Sequence, residues 1–193
     1  MLPTNATLLV IDVQQGFLDP SWGPRNNRQA EANIARLIAA WRRERRPVRH
    51  VYHSSLSAAG TFFQGTPGYA PKPEAAPAPG EPVHVKGVNS AFIGTSLEQE
   101  LRHTGVDTLV VVGLTTNHCV STTVRMAGNL GFTVYLVEDA TATFDRLGLD
   151  GKMRPAAEVH AAALSDLSEE FATIVNTDEV LRELPAPEPL VTT

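Results

Sequence analysis

Three apolar runs in this sequence end on, or just before, a residue that could take part in nucleophilic catalysis. Asp12 closes the run from Thr7 to Val13, Lys86 closes Val83–Lys86, and Cys119 follows the run Thr108–Val112 and its glycine, Gly113. Attack by a thiol on a carbonyl carbon needs a group to take the sulfur's proton, and a cation steadies the resulting charges. Asp12 and Lys86 are of the right types for those two tasks. Cys119 also stands where a helix is expected to begin, and there the macrodipole and free backbone N–H groups favour an anion. Each residue taken singly has a plainer reading. A lone cysteine serves as a small buried hydrophobe, Asp12 could cap the next loop, and Lys86 could be a solvated residue at a strand end.

The elements that would bring the three together can be read from hydrophobic periodicity. Thr7–Val13 and Thr108–Val112 are continuous apolar runs without alternation, as expected of strands covered on both faces of a parallel sheet. Val48–Ser54, Val83–Lys86, Phe132–Glu138 and Phe171–Val175 supply four more strands. Between about Asn27 and Arg46, Ile34, Leu37, Ile38 and Trp41 recur at helical spacing, and Pro47 ends that helix. Ser96 and Gln99 have the spacing of a capping box for a short helix running to His103 and closed by Gly105. A helix after Cys119 would show Val120, Val124, Ala127 and Leu130 on one face, with Gly131 past its end, and a further helix spans Pro155 to Leu164. The Pro- and Gly-rich stretch 60–82 has no such period and reads as an ordered loop at a functional rim.

Strand and helix alternate throughout, which predicts a three-layer α/β/α sandwich on a six-stranded, mainly parallel, Rossmann-like sheet. Ligands in such sheets bind beyond the carboxyl ends of the strands, where Asp12, Lys86 and Cys119 all fall.

The chain has 193 residues, no internal repeat and enough apolar content (42%) for one domain spanning residues 1–193. A net charge of −5 argues against nucleic acid or an anionic membrane as a partner. The charge is uneven: Arg42, Arg43, Arg45 and Arg46 suggest a solvated helix end, and Asp166 to Glu188 is acidic. No apolar segment approaches membrane-spanning length, Met1 to Thr7 does not resemble a secretory leader, and a single cysteine cannot form an internal disulfide. A cytoplasmic location is expected.

Three motifs add a resemblance. Val10-Ile-Asp12-Val-Gln-Gln-Gly-Phe17, then Val85-Lys86-Gly87, then Val112-Gly-Leu-Thr-Thr-Asn-His-Cys119-Val120, occur in the order and spacing of the isochorismatase-like cysteine hydrolases. The resemblance covers nearly the whole chain and implies that fold, with Asp12, Lys86 and Cys119 as a catalytic triad. It further implies a cis peptide between Leu114 and Thr115, which turns the Thr115 N–H toward the same point as the Cys119 N–H to make an oxyanion hole. Phe17 would pack on substrate, and Trp22, Asn89, Ser90 and Phe92 would line the pocket. For the aromatic residues among these, ordinary core packing is the alternative. The family's habits imply a homodimer or homotetramer.

Nicotinamidases, one branch of the family, hold a metal with an Asp-x-His at the second strand. Here the matching stretch is Val51-Tyr52-His53, without the carboxylate. His50 and His53, an odd number of residues apart, face opposite ways on a strand and cannot chelate one ion. No metal and no other cofactor is expected. His53 could face the pocket, and His118 sits beside the cysteine. Isochorismatase itself protonates a vinyl ether and needs no thiol, so an intact cysteine motif points to hydrolysis of a small carboxamide, ureido or lactam substrate through a thioester. A vinyl-ether hydrolase and a non-hydrolytic thiol or ligand-binding protein are the alternatives.

Overall fold

In the computed structural model, which describes residues 2–184, strands β1 (Thr7–Ile11) and β4 (Thr108–Leu114) lie side by side at the centre of a six-stranded sheet. The remaining strands are β2 (Val48–His53), β3 (Val83–Lys86), β5 (Thr133–Ala142) and β8 (Thr173–Val175). Their order is β3-β2-β1-β4-β5-β8, and every neighbouring pair is parallel. Along β1, Leu8 and Val10 join one core cluster while Leu9 and Ile11 join the other. A run with no alternation is thus what a strand with two buried faces requires.

Helix α1 (Ala30–Arg43) covers one face, with Ile34, Leu37, Ile38 and Trp41 buried. Helices α2 (Leu97–His103) and α3 (Ser121–Asn129) cover the other. α4 (Ala156–Ser165) and α5 (Thr177–Arg182) complete the layers, and a two-stranded antiparallel hairpin, β6 (Arg146–Leu147) with β7 (Met153–Arg154), extends from the end of β5. Among the described residues, no helix is long and apolar enough to cross a membrane.

Several local expectations need correction. α1 starts three residues later than its pattern suggests, because Asn27 has left-handed backbone (φ 40°) and spends its side-chain amide on the Glu138 and Thr141 carbonyls. Ser96 forms no capping box; its hydroxyl bonds Glu100 Oε1 at 2.6 Å instead. A capping box is found instead at α5, between Asn176 and Glu179. The arginine run is not simply solvated. Arg42 pairs with Glu81 at 2.8 Å, and Arg46 is buried, donating to the Pro3 carbonyl over the Trp41 ring. The last four residues of the acidic stretch, 185–188, lie outside the described residues.

The stretch 60–82 is pinned along much of its length. The Gln14 side chain bridges it, donating to the carbonyls of His53 and Tyr69 and accepting from the His53 N–H. The Lys72 N–H donates to the Val13 carbonyl, and the buried Lys72 ammonium meets Glu31 Oε1 at 2.5 Å. Glu31 in turn holds Arg25 from the first loop. One carboxylate on α1 therefore ties together both loops above the sheet.

Candidate active site

The strand order reverses direction between β1 and β4, and at such a switch point the loops part to leave a crevice at the carboxyl edge. Asp12 is the first residue past β1. Its backbone is left-handed (φ 51°), a conformation Asp tolerates better than most residues and one that recurs at functional sites. Opposite Ile11, the last residue of β1, Gly113 in β4 has φ 127°, and a Cβ there would meet the Ile11 carbonyl oxygen at 2.0 Å. Only glycine lets the two strands close up at this point. The Leu114–Thr115 peptide that follows is cis. Residues Thr116–Val120 then form a π-helical turn, a rare geometry often found at functional sites, which carries Cys119 into α3.

Lys86 reaches the same point from β3, where it is paired in register with His53. Its ammonium donates to Asp12 Oδ2 at 2.6 Å, and both side chains are essentially sealed from solvent. The other oxygen, Asp12 Oδ1, receives no conventional hydrogen bond from the described residues. Asp12, His53 and Cys119 offer an oxygen, a ring nitrogen and a sulfur that all lie within 4.8 Å of one another.

Burial holds the Asp12 carboxyl above the usual aspartate range, and Lys86 offsets only part of that. Burial, followed by the Asp12 charge, pushes the Cys119 thiol up to about 12. The thiolate expected from a helix start beside a lysine is therefore not the resting form. The Lys86 charge is committed to Asp12, and desolvation outweighs the helix terminus. The arrangement suits general-base activation instead: a neutral thiol beside a carboxylate whose raised proton affinity makes it a stronger base.

Asp12, His53 and Cys119 open on a cavity of about 350 Å³, lined also by Phe17, Trp22, Phe62, Asn89, Thr115 and His118, with Lys86 buried behind Asp12. Three aromatic rings form one wall: Phe17 lies 5.1 Å from Trp22 and 4.7 Å from Phe62, centroid to centroid. Asn89 Oδ1 faces the thiol at 3.9 Å.

Residues 6–179 match the isochorismatase domain. The chain belongs to the isochorismatase family of hydrolases. It is 47% identical to a protein of that family from Chromobacterium violaceum whose crystal structure superposes with a TM-score of 0.92 over 94% of each chain. It is 43% identical to the uncharacterised isochorismatase family protein YrdC of Bacillus subtilis, over 91% of this chain and 94% of that one. A partial match, 38% over 99 residues, joins it to nicotinamidase 3 of Arabidopsis thaliana, covering 51% of this chain and 44% of that protein.

As an isochorismatase-family chain it carries a site that departs from the residue expectations in two places. Ser90 and Phe92 do not line the cavity. Phe92 stacks on Phe132 in the core against α2 and α3, and the Ser90 hydroxyl accepts the Phe92 N–H. The turns that follow β3 leave Asn89 at the cavity and carry Phe92 into the helical layer, where the neighbouring Ala91 N–H donates to Thr123 of α3. Conversely, Phe62, His53 and His118 are wall residues. Phe62 comes from the long loop and had only its aromatic character within a Pro- and Gly-rich stretch to distinguish it.

A metal of the nicotinamidase branch does not fit this chain. Val51 occupies the carboxylate position, and His50 is turned to the other face, with Nε2 2.9 Å from Glu81. The donor group Asp12, His53 and Cys119 is also a poor cation site, because the Lys86 ammonium already holds Asp12.

Proposed function

We propose that this protein hydrolyses a C–N bond of a small carboxamide, ureido or lactam substrate through a thioester on Cys119. The observation that carries the reading is the shared cavity wall. The only cysteine of the chain stands beside a buried aspartate whose charge is held by a buried lysine. The partial likeness to a nicotinamidase supports C–N chemistry.

As the sulfur attacks the carbonyl carbon, its proton passes to Asp12, and Lys86 keeps the carboxylate ionised and oriented until that moment. The carbonyl oxygen becomes an oxyanion facing the N–H groups of Thr115 and Cys119, donors of a kind worth about 3–4 kcal/mol each in comparable sites. Collapse breaks the C–N bond, and the leaving amine or ammonia takes the proton from Asp12. Asp12 then draws a proton from water as its oxygen attacks the thioester, the acid departs, and the thiol recovers its proton. The net change is amide plus water to acid plus amine. The aromatic wall packs the apolar part of the substrate and keeps bulk water from the thioester.

The test is amine or ammonia release from a panel of carboxamides, ureido acids and lactams. Release is expected from at least one class, and treatment with iodoacetamide should abolish it, since Cys119 is the sole thiol. Sustained release by the fully alkylated protein would contradict the scheme.

A further inference from the structure

A second hollow of about 250 Å³ adjoins the catalytic cavity and shares Trp22, Thr115 and His118 with it. Its far side is built by Phe144, Asp145 and Arg146, the last at the start of the β6–β7 hairpin. Arg146 Nη1 lies 2.7 Å from His118 Nε2, and His118 Nδ1 lies 3.1 Å from the Thr115 hydroxyl. A guanidinium can only donate, so Nε2 accepts and the proton of a neutral imidazole sits on Nδ1, which donates to Thr115. This chain links Arg146 to the residue beside the nucleophile loop.

Arg146 has four further N–H donors by its chemistry and, among the described residues, no carboxylate partner. Its neighbours differ. Arg154, directly opposite across the hairpin, is paired with Asp150 at 2.8 Å. Asp145 spends Oδ1 on the Ala156 N–H at the start of α4. In the catalytic cavity Asp12 is neutralised by Lys86. Across the two joined hollows Arg146 is thus a guanidinium without an ion-pair partner among the described residues, with the Asp145 carboxylate, whose charge remains, lining the same hollow.

We infer that Arg146 sets substrate specificity by pairing with a carboxylate on the substrate, so that the preferred substrates are amide or ureido acids rather than neutral amides. The inference rests on the hydrolase reading for what happens next, but anion binding itself does not require turnover. The planar fork of arginine matches a carboxylate, and with Nε2 of His118 holding one N–H, the other donors of this exposed side chain at the hollow's edge remain for a ligand.

The experiment compares succinamate with succinamide, which share a carbon skeleton and differ by one charge. Each is used to protect Cys119 from iodoacetamide in wild type, Arg146→Gln and Arg146→Lys, with a melting curve to show that the variants are folded. Succinamate should protect wild type at a concentration lower by at least about tenfold, the scale of one charge-assisted hydrogen bond. Arg146→Gln should erase the difference, and Arg146→Lys should keep part of it. Equal protection by the two compounds, no protection by succinamate, or a preference that survives in Arg146→Gln would each overturn the inference. Amine release measured alongside separates the two readings. Preferential protection with no amine release from this pair or from the wider panel leaves the anion site standing and sinks the hydrolase, whereas equal turnover of both compounds does the reverse.

Discussion

Cys119→Ala is expected to lower kcat/KM by about four orders of magnitude or more, the scale seen when the nucleophile of a covalent mechanism is removed. The side chain lost is small and only partly buried, at the edge of the core formed with α3. Stability should therefore change by no more than about 1 kcal/mol, a few degrees in Tm for a chain of this size. That combination, an intact fold with no turnover, distinguishes a chemical role from a structural one. A companion reading comes from alkylation of the wild-type thiol. With the thiol pushed up to about 12, the thiolate fraction grows about tenfold per pH unit. The iodoacetamide rate should therefore rise across pH 7–10 without levelling off. Full activity in Cys119→Ala would instead favour direct protonation by Asp12, the vinyl-ether chemistry that needs no thiol.

Lys86→Met should be the most damaging change to stability in the site. Lys86 and Asp12 are both buried and 2.6 Å apart, so removing the ammonium strands a carboxylate in an apolar setting. Breaking a buried pair on one side costs about 3–5 kcal/mol, unless the surviving group neutralises itself. Asp12 would do so by binding a proton, because its carboxyl already sits above the usual range and loses the Lys86 contribution that lowers it. The sign of the pH dependence follows. A folded-state pKa raised above the unfolded value means the folded form binds more protons, so stability falls as pH rises between the two. The variant should lose least against wild type near pH 4–5 and most above pH 7, as read from urea midpoints. It should also have lost turnover, since a protonated Asp12 cannot accept from the thiol. Adding Asp12→Asn should restore much of the stability but none of the activity. A variant as stable as wild type at pH 8 would mean the pair is not coupled as its geometry indicates.

Much of this framework was legible in the sequence because it rests on local patterns. β1 and β4 announce themselves by apolar runs that only a doubly covered strand can bury, and α1 by the spacing of Ile34, Leu37, Ile38 and Trp41. A strand's end fixes where the next residue stands, so Asp12, Lys86 and Cys119 could be placed at one edge of the sheet before their contacts were known. What was not legible depends on partners distant in sequence. Phe62 enters the cavity because residues 60–82 fold back on Gln14 and Lys72 anchors to Glu31, contacts between segments some 40 to 55 residues apart. The pairing of Arg146 with His118 needs a two-residue hairpin strand too short to leave a periodic trace. Phe92 was misplaced because a residue three past a well-placed neighbour can turn into the opposite layer. How strongly burial opposes ionisation of Cys119 was out of reach for a related reason. Proximity to a lysine can be guessed from strand ends, but how much water is excluded, and whose charge the lysine is spent on, is set by the completed fold.

The central claim is a covalent intermediate on Cys119, and the most direct measurement is the intact mass of the protein quenched in acid during turnover of a slow amide or ureido substrate. A mass increase equal to the acyl portion of the substrate, localised by peptide mapping to the segment holding Cys119 and absent from Cys119→Ala, is the predicted result. Active protein that shows product release with no adduct at any quench time, and a Cys119→Ala variant that turns over at the same rate, would contradict it.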